Sequence, residues 1–275
     1  MSELLLTVVI PSYNSEAFIE YCLKSIEREA HVGVEFILID GNSSDATMEI
    51  VNRYQHLFSH VISEPDRGQS DAFNKGFNLA KGKFLTWLNS DDVLCVGAIS
   101  HLLPVLRSTR RRWITANTLY LDENGKVTRC CRSGGFEHFA VKRGLLNVFG
   151  PSTIFSKELY DQVGPLDESF HYCMDTEYWW RIFSVTEVYH RVPVYFWGLR
   201  LHDAAKTANV LLKDETPPRM REERRLIKEK YYPNVSDQSK ARVVKLARVW
   251  RLLNTSYLRS YMDTLRMKGK GYQDV

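Results

Sequence analysis

The sequence has little that would cross-link a chain or carry it through a membrane. Its five cysteines, Cys22, Cys95, Cys130, Cys131 and Cys173, are odd in number and show no C-x-x-C spacing. That argues against a disulfide framework and a zinc site, and leaves them as reduced thiols. No apolar run approaches the roughly 20 residues that span a bilayer. The opening MSELLLTVVIPSYN has neither a basic leader nor a small-residue cleavage site, so the expectation is a cytoplasmic protein. The G-x-G-x-x-G dinucleotide turn and the G-x-x-x-x-G-K-[ST] phosphate loop are both missing, which disfavours a nicotinamide enzyme and a P-loop NTPase. No repeat and no low-complexity stretch interrupts the chain.

What remains is an ordinary globular composition: 275 residues, 44% hydrophobic and 25% charged, enough for one large domain with an appendage. The net charge of +4 conceals an asymmetry, because residues 217–275 carry 15 Lys and Arg against 6 Asp and Glu. An acidic body with a basic tail points the tail toward an anionic surface.

Four short, β-branched runs recur in the first third: 4–10, 34–40, 60–63 and 83–89. Continuous runs of this kind read as strands covered on both faces. Between them, Phe18/Cys22/Ser25/Ile26, Ile50/Val51/Tyr54/Leu57 and Ala72/Phe73/Phe77/Ala80 keep helical spacing. Ser43 and Ser44 are candidate N-caps for the second helix, and Gly82 a candidate stop for the third. Strands alternating with helices predict an α/β fold with a mostly parallel sheet flanked by helices. LYLDENGKV (119–127) reads as a hairpin turning at Asn124-Gly125.

Ligands of such sheets gather beyond the carboxyl ends of the strands. There stand Pro11-Ser12-Tyr13-Asn14, Asp40, the EPDRGQ segment (64–69) and Asn89-Ser90-Asp91-Asp92. Two adjacent carboxylates at a strand end repel each other and lose hydration. A divalent cation resolves this, and Mg²⁺ or Mn²⁺ would complete its shell with diphosphate oxygens. The alternative is that Asp91 and Asp92 cap a helix beginning near Val93.

VVIPSYN (8–14), LIDGNSSDAT (38–47), EPDRGQSDAFNKGFNLAKGKFLTWLNSDD (64–92) and VGPLDESFHYCMDTEYWWR (163–181) together resemble family 2 glycosyltransferases of the GT-A fold. The likeness spans roughly residues 4–206, with four motifs in the family's order. It implies a GT-A domain over 1–216, divided into a nucleotide-binding half (1–98) and an acceptor-binding half (99–216), followed by a basic helical extension (217–275). It further implies an inverting, metal-dependent transferase moving a sugar from a nucleotide diphosphate, UDP above all, to a hydroxyl of a glycan or lipid-linked acceptor in cell-surface polysaccharide synthesis.

By the same resemblance, Pro11, Ser12, Tyr13, Asn14 and Asp40 would hold base and ribose, with Asp40 accepting from a uracil N–H. Asp66, Arg67 and Gly68 would approach the base. Asn89-Ser90-Asp91 stands in place of a D-x-D metal motif, with Asn where the family has its first Asp. Asp91 therefore becomes the first metal ligand and Asp92 the second, while His202 of LRLHDAAKT (199–207) would face the diphosphate or the metal. Asp175 in CMDTEYWWR (173–181) would be the catalytic base. Glu177, two residues on, points elsewhere on a helix. Trp179, Trp180 and Phe183 read as core, and Pro151 to Thr153 as acceptor lining.

In KARVVKLARVWRLLN (240–254), Val243, Leu246, Ala247, Trp250 and Leu253 share one helical face opposite Lys245, Arg248 and Arg251. Such a helix either packs on the domain or lies peripherally on the inner, anionic face of a membrane. Nucleic acid is an unlikely partner, since no recognition motif accompanies the charge. Two rival functions stay open: a nucleotidyltransferase, for which the expected basic Gly-rich loop after strand one is missing, and a sugar-nucleotide-binding module without catalysis, which Asn89 favours.

Overall fold

The computed structural model describes residues 3–133, 138–146, 150–186, 189–206, 215–253 and 255–274. The strands are β1 Leu6–Ser12, β2 Val34–Asp40, β3 His60–Ser63, β4 Phe84–Trp87, β5 Val93–Leu94, β6 Trp113–Leu121, β7 Val127–Cys131, β8 Thr153–Ser156 and β9 His190–Arg200. The helices are α1 Ile19–Glu29, α2 Thr47–Arg53, α3 Gln69–Leu79, α4 Ala98–Ser108, α5 His138–Val141, α6 Lys157–Val163, α7 Met174–Val185, α8 Pro218–Tyr231, α9 Asp237–Leu253 and α10 Ser256–Met267.

One sheet runs in the order β3-β2-β1-β4-β8-β6-β9-β5, with β7 branching from β6. The first four neighbours are parallel, β6 and β9 are parallel, and the remaining pairs are antiparallel. β1 is buried along its whole length, as a central strand covered on both faces must be. On one face α1 and α4 bury Leu23, Ile26, Leu102 and Leu106. On the other, α3, α7 and α8 bury Phe73, Phe77, Trp179 and Ile227. There Trp87 of β4 stacks on Trp179 of α7, with centroids 5.2 Å apart and planes within 3°. The aromatic segment of α7 is therefore core, as its spacing predicted, and it fixes the start of α7 against the end of β4.

Register places the site. Ser12 is paired with Asp40, and Asp40 with Ser63, so three strands end level on one edge. The 119–127 hairpin forms as predicted, between β6 and β7.

Four local expectations are corrected. Ser43 and Ser44 do not cap α2; Asp45 does the equivalent, its Oδ1 accepting the Thr47 N–H at 3.0 Å. Gly82 does not end α3, which stops at Leu79; a Cβ there would lie 2.6 Å from the Thr7 backbone nitrogen, so the position serves a chain crossing. No helix starts near Val93, because Val93–Leu94 pairs with β9 as β5. The apolar face of α9 is split: Val243 and Ala247 are buried while Leu246 is exposed, and the Leu253 side chain lies outside the described residues.

Helix α3 lies so close to β1 that a Cβ on Gly76 would sit 2.3 Å from a Val9 methyl. Overpacking of this kind costs about 1–3 kcal/mol. Gly76→Ala should therefore lower the unfolding free energy by that amount in a denaturant titration.

Candidate active site

At the end of β1, Pro11 and Ser12 are buried, and the Ser12 hydroxyl has no hydrogen-bond partner among the described residues. Tyr13 projects from this turn, 64% exposed. Asn14 adopts a left-handed φ of 45°. Its N–H donates to Ser43 Oγ at 2.8 Å, and its Oδ1 accepts from the Ser44 N–H at 2.9 Å. Thus the two serines expected as caps instead tie the β1 and β2 loops together.

Asp40 lies under the rim, sealed from solvent. Its Oδ2 accepts from the Ser43 N–H at 2.9 Å and from Ser63 Oγ at 2.7 Å, and its Oδ1 from Ser43 Oγ. In this arrangement Asp40 braces the loop, and a base N–H would have to displace one of those serines. Beside it, a Cβ on Gly41 would lie 2.7 Å from Asp66 Oδ2 and 3.3 Å from the Tyr13 ring. Asp66 and Tyr13 can approach the backbone this closely only because residue 41 lacks a side chain. Asp66 also accepts from the Gly68 N–H at 2.8 Å. Gly68 itself has a φ of 113° and opens α3. Arg67 is largely exposed and paired with Asp71 at 3.1 Å and Glu168 at 3.0 Å.

The acidic pair after β4 divides. Asp92 is fully buried. It accepts from the Arg200 backbone N–H through Oδ1 and from Asn89 Nδ2 through Oδ2, each at 2.9 Å. Burial first and the neighbouring Asp91 second push its pKa well up, while those donors pull it back. Asp91 faces the cleft instead, with Oδ2 3.1 Å from His202 Nε2. His202 is buried against Phe18, ring centroids 4.2 Å apart, and its Nδ1 has no partner among the described residues. Ser90 Oγ lies 2.8 Å from Ser15 Oγ. The side chain of Arg200 passes beneath, donating to the Asp91 carbonyl at 3.0 Å and lying over the Phe18 and Tyr21 rings.

Across the cleft, Asp175 occupies the first turn of α7. Its Oδ1 accepts from the Thr176 N–H at 2.6 Å, and its Oδ2 faces Gly150, 3.7 Å from where a Cβ would be. The acceptor-lining stretch expected at 151–153 therefore adjoins the Asp175 carboxylate. Burial raises the Asp175 pKa, and the Thr176 bonds offset only part of this. Glu177 points away, accepting from Arg181 at 2.8 Å, Lys230 at 3.0 Å and Tyr231 at 2.6 Å.

Three residues to which the motifs assigned no role join the two sides: Gln69 within EPDRGQ, Lys206 within LRLHDAAKT, and Glu223 outside both. Gln69 donates to Asn89 Oδ1 at 2.9 Å and accepts from Lys206 Nζ at 3.0 Å. Lys206 also reaches the His171 carbonyl at 3.4 Å, and desolvation lowers its pKa. Glu223 of α8 then accepts the backbone N–H groups of His171, Tyr172 and Cys173, each at 2.8 Å. Burial alone would raise the Glu223 pKa, but these donors outweigh it and hold the carboxyl below its usual range. A glutamate inside a basic helix carries no sequence signal for such a role.

A carboxylate-flanked cleft at the ends of parallel strands accords with the family comparison, in which the Glycosyl transferase family 2 model matches residues 7–163. The chain belongs to that family. Among curated relatives it is 24% identical over 220 residues to an uncharacterized glycosyltransferase of Rickettsia prowazekii, covering 76% of this chain and 67% of the relative. It is 29% identical over 182 residues to the PGL/p-HBAD biosynthesis glycosyltransferase of Mycobacterium tuberculosis, covering 58% and 68%. Among solved structures, S. aureus TarS 1-349 in complex with UDP-GlcNAc superposes with a TM-score of 0.68 at 17% identity, over 87% of this chain and 69% of TarS. In the UDP complex of the same fragment the match covers 60% of the TarS chain. The mannosyltransferase PcManGT of Pyrobaculum calidifontis, with GDP-Man and Mn²⁺, gives 0.56 at 14% identity over 96% and 88%. These structures establish the GT-A fold.

In this family 2 chain, no group of three or more His, Cys, Asp or Glu side chains is placed to hold a metal among the described residues. Asp92, expected as a second ligand, is turned inward. Asp91 and His202 nonetheless fit a hard cation that takes most of its shell from phosphate and water. Asn89 also gains a reason: it supplies the N–H that buried Asp92 requires.

Asn89→Asp would leave Asp92 Oδ2 without its donor and facing another carboxylate. The expected loss is about 1–3 kcal/mol of stability at neutral pH. It should shrink as pH falls, because a carboxyl with a raised folded pKa is stabilising only while protonated. Thermal denaturation across pH checks this. Glu223→Ala should speed amide hydrogen exchange at 171–173 on the order of tenfold or more, with β1 amides unchanged, as read by mass spectrometry.

Proposed function

We propose that this glycosyltransferase transfers a sugar with inversion from a UDP-sugar to a hydroxyl of a glycan or lipid-linked acceptor in cell-surface polysaccharide synthesis. The observation that carries the reading is the continuous set of contacts from Asp92 through Asn89, Gln69 and Lys206 to the loop before Asp175. These contacts tie the loop after β4 to the loop before α7, which supports reading Asp91 and His202 as the diphosphate side and Asp175 as the base of one site.

Tyr13 and Asp66, which meet at Gly41, would flank the nucleobase, and Ser12 offers a hydroxyl that has no partner among the described residues. The acceptor oxygen attacks the anomeric carbon from the Asp175 side and loses its proton to that carboxylate. The bond to the diphosphate breaks on the opposite face, and the nucleoside diphosphate departs. One carboxylate suffices for this single displacement. Lys206 is placed to meet the negative charge that develops on the leaving group. A divalent cation on Asp91 and His202 would supply further neutralisation there, and the Mn²⁺ in the PcManGT complex supports it. The UDP and UDP-GlcNAc complexes of TarS support a uridine donor.

A binding module without turnover is favoured by Asn89 and the two-ligand pair alone. Donor hydrolysis separates the readings, since a silent module would be stabilised by UDP-sugar without releasing UDP. Asp175→Asn should reduce transfer by about 100-fold or more and leave UDP affinity within about twofold by calorimetry. The wild-type rate should rise with pH as Asp175 ionises, along a limb above the ordinary aspartate range. Full turnover by the variant would reject the assignment.

A further inference from the structure

Helix α10 is amphipathic the wrong way round for a helix in water. Its inner face is polar and bonded to the domain. Thr264 Oγ1 accepts from the Cys130 N–H at 2.9 Å, Ser260 Oγ from the Arg132 N–H at 3.2 Å, and Asp263 from Arg132 Nε at 2.6 Å and from the Tyr195 hydroxyl. The opposite stripe is Leu258, Tyr261, Met262 and Leu265, at i, i+3, i+4 and i+7. Together with Leu246 and Val249 of α9, these side chains are exposed by 50% to 60%. Single exposed apolar residues need no explanation, whereas six large ones on two successive helices mark an interaction surface.

The charge around the stripe selects its partner. Residues 238–262 contain six Lys and Arg and no Asp or Glu. Arg242, Lys245, Arg248, Arg259 and Arg266 are exposed, and the acids flanking this stretch are paired, Asp237 with Lys228 and Asp263 with Arg132 and Tyr195. A second copy of this face would set cation against cation. An anionic bilayer accommodates both features, with apolar side chains at the acyl boundary and Lys and Arg among the headgroups.

We propose that α9 and α10 form a docking surface for an anionic lipid bilayer, with Tyr261, Met262 and Leu265 inserted and the flanking arginines on the headgroups. The surface is independent of the cleft, so binding and transfer can fail separately. Sedimentation with mixed phosphatidylglycerol–phosphatidylcholine vesicles and with phosphatidylcholine alone tests it. The full chain should partition on the order of tenfold or more better onto the anionic vesicles. Tyr261→Ser with Leu265→Ser should abolish partitioning, Arg259→Glu should weaken it, and all should keep wild-type thermal stability because the replaced side chains face outward. Equal binding to both vesicle types, absent binding, or retained partitioning by the apolar variant would overturn the proposal. So would a dimer in analytical ultracentrifugation that the same substitutions dissociate.

Discussion

A carboxylate deprived of water, Asp92, governs the geometry of the cleft. It is charged or neutral at the discretion of the donors around it, the Arg200 backbone N–H and the Asn89 amide. Those donors bind β9 to the end of β4 and leave adjacent Asp91 to turn outward beside His202. The pair that looks redundant in sequence is a division of labour. One aspartate anchors, and the other is left beside His202.

The second constraint comes from α8. Glu223 gathers three consecutive amides ahead of α7, and Glu177 answers from α7 to Lys230 and Tyr231. Two carboxylates thus tie α7 and α8 together, and Asp175 in the first turn of α7 is held with them. The basic composition of residues 217–231 hides this, because its chemistry is carried by one acid among many cations.

Much of the fold was legible because buried parallel strands announce themselves. The runs at 34–40 and 60–63 coincide with β2 and β3, and the helices between them follow their apolar spacing. Caps were less legible: Ser43, Ser44 and Asp45 are equivalent on paper, and only the pull of Asp40 on Ser43 and of Asn14 on Ser44 leaves Asp45 for the helix. At the site, local motifs pointed to Asp91, His202 and Asp175; the structure pairs the first two at 3.1 Å and sets Asp175 in the first turn of α7. Gln69 and Lys206 lie inside the quoted motifs, but their pairing, and the reach of Glu223, escaped, since the partners lie 20, 137 and about 50 residues away and no spacing rule spans such gaps. Arg67 shows the converse, a motif residue drawn aside by Asp71 and Glu168.

The family model ends at residue 163, ahead of Asp175, His202 and Glu223. A boundary drawn by sequence likeness is therefore not a mechanical one. A fragment cut there would keep the β1 and β2 loops and lose Asp175, His202 and the Glu223 clasp on the loop before α7. Hybrids between relatives would need their junction beyond α8, so that the loop before α7 travels with the glutamate that shapes it.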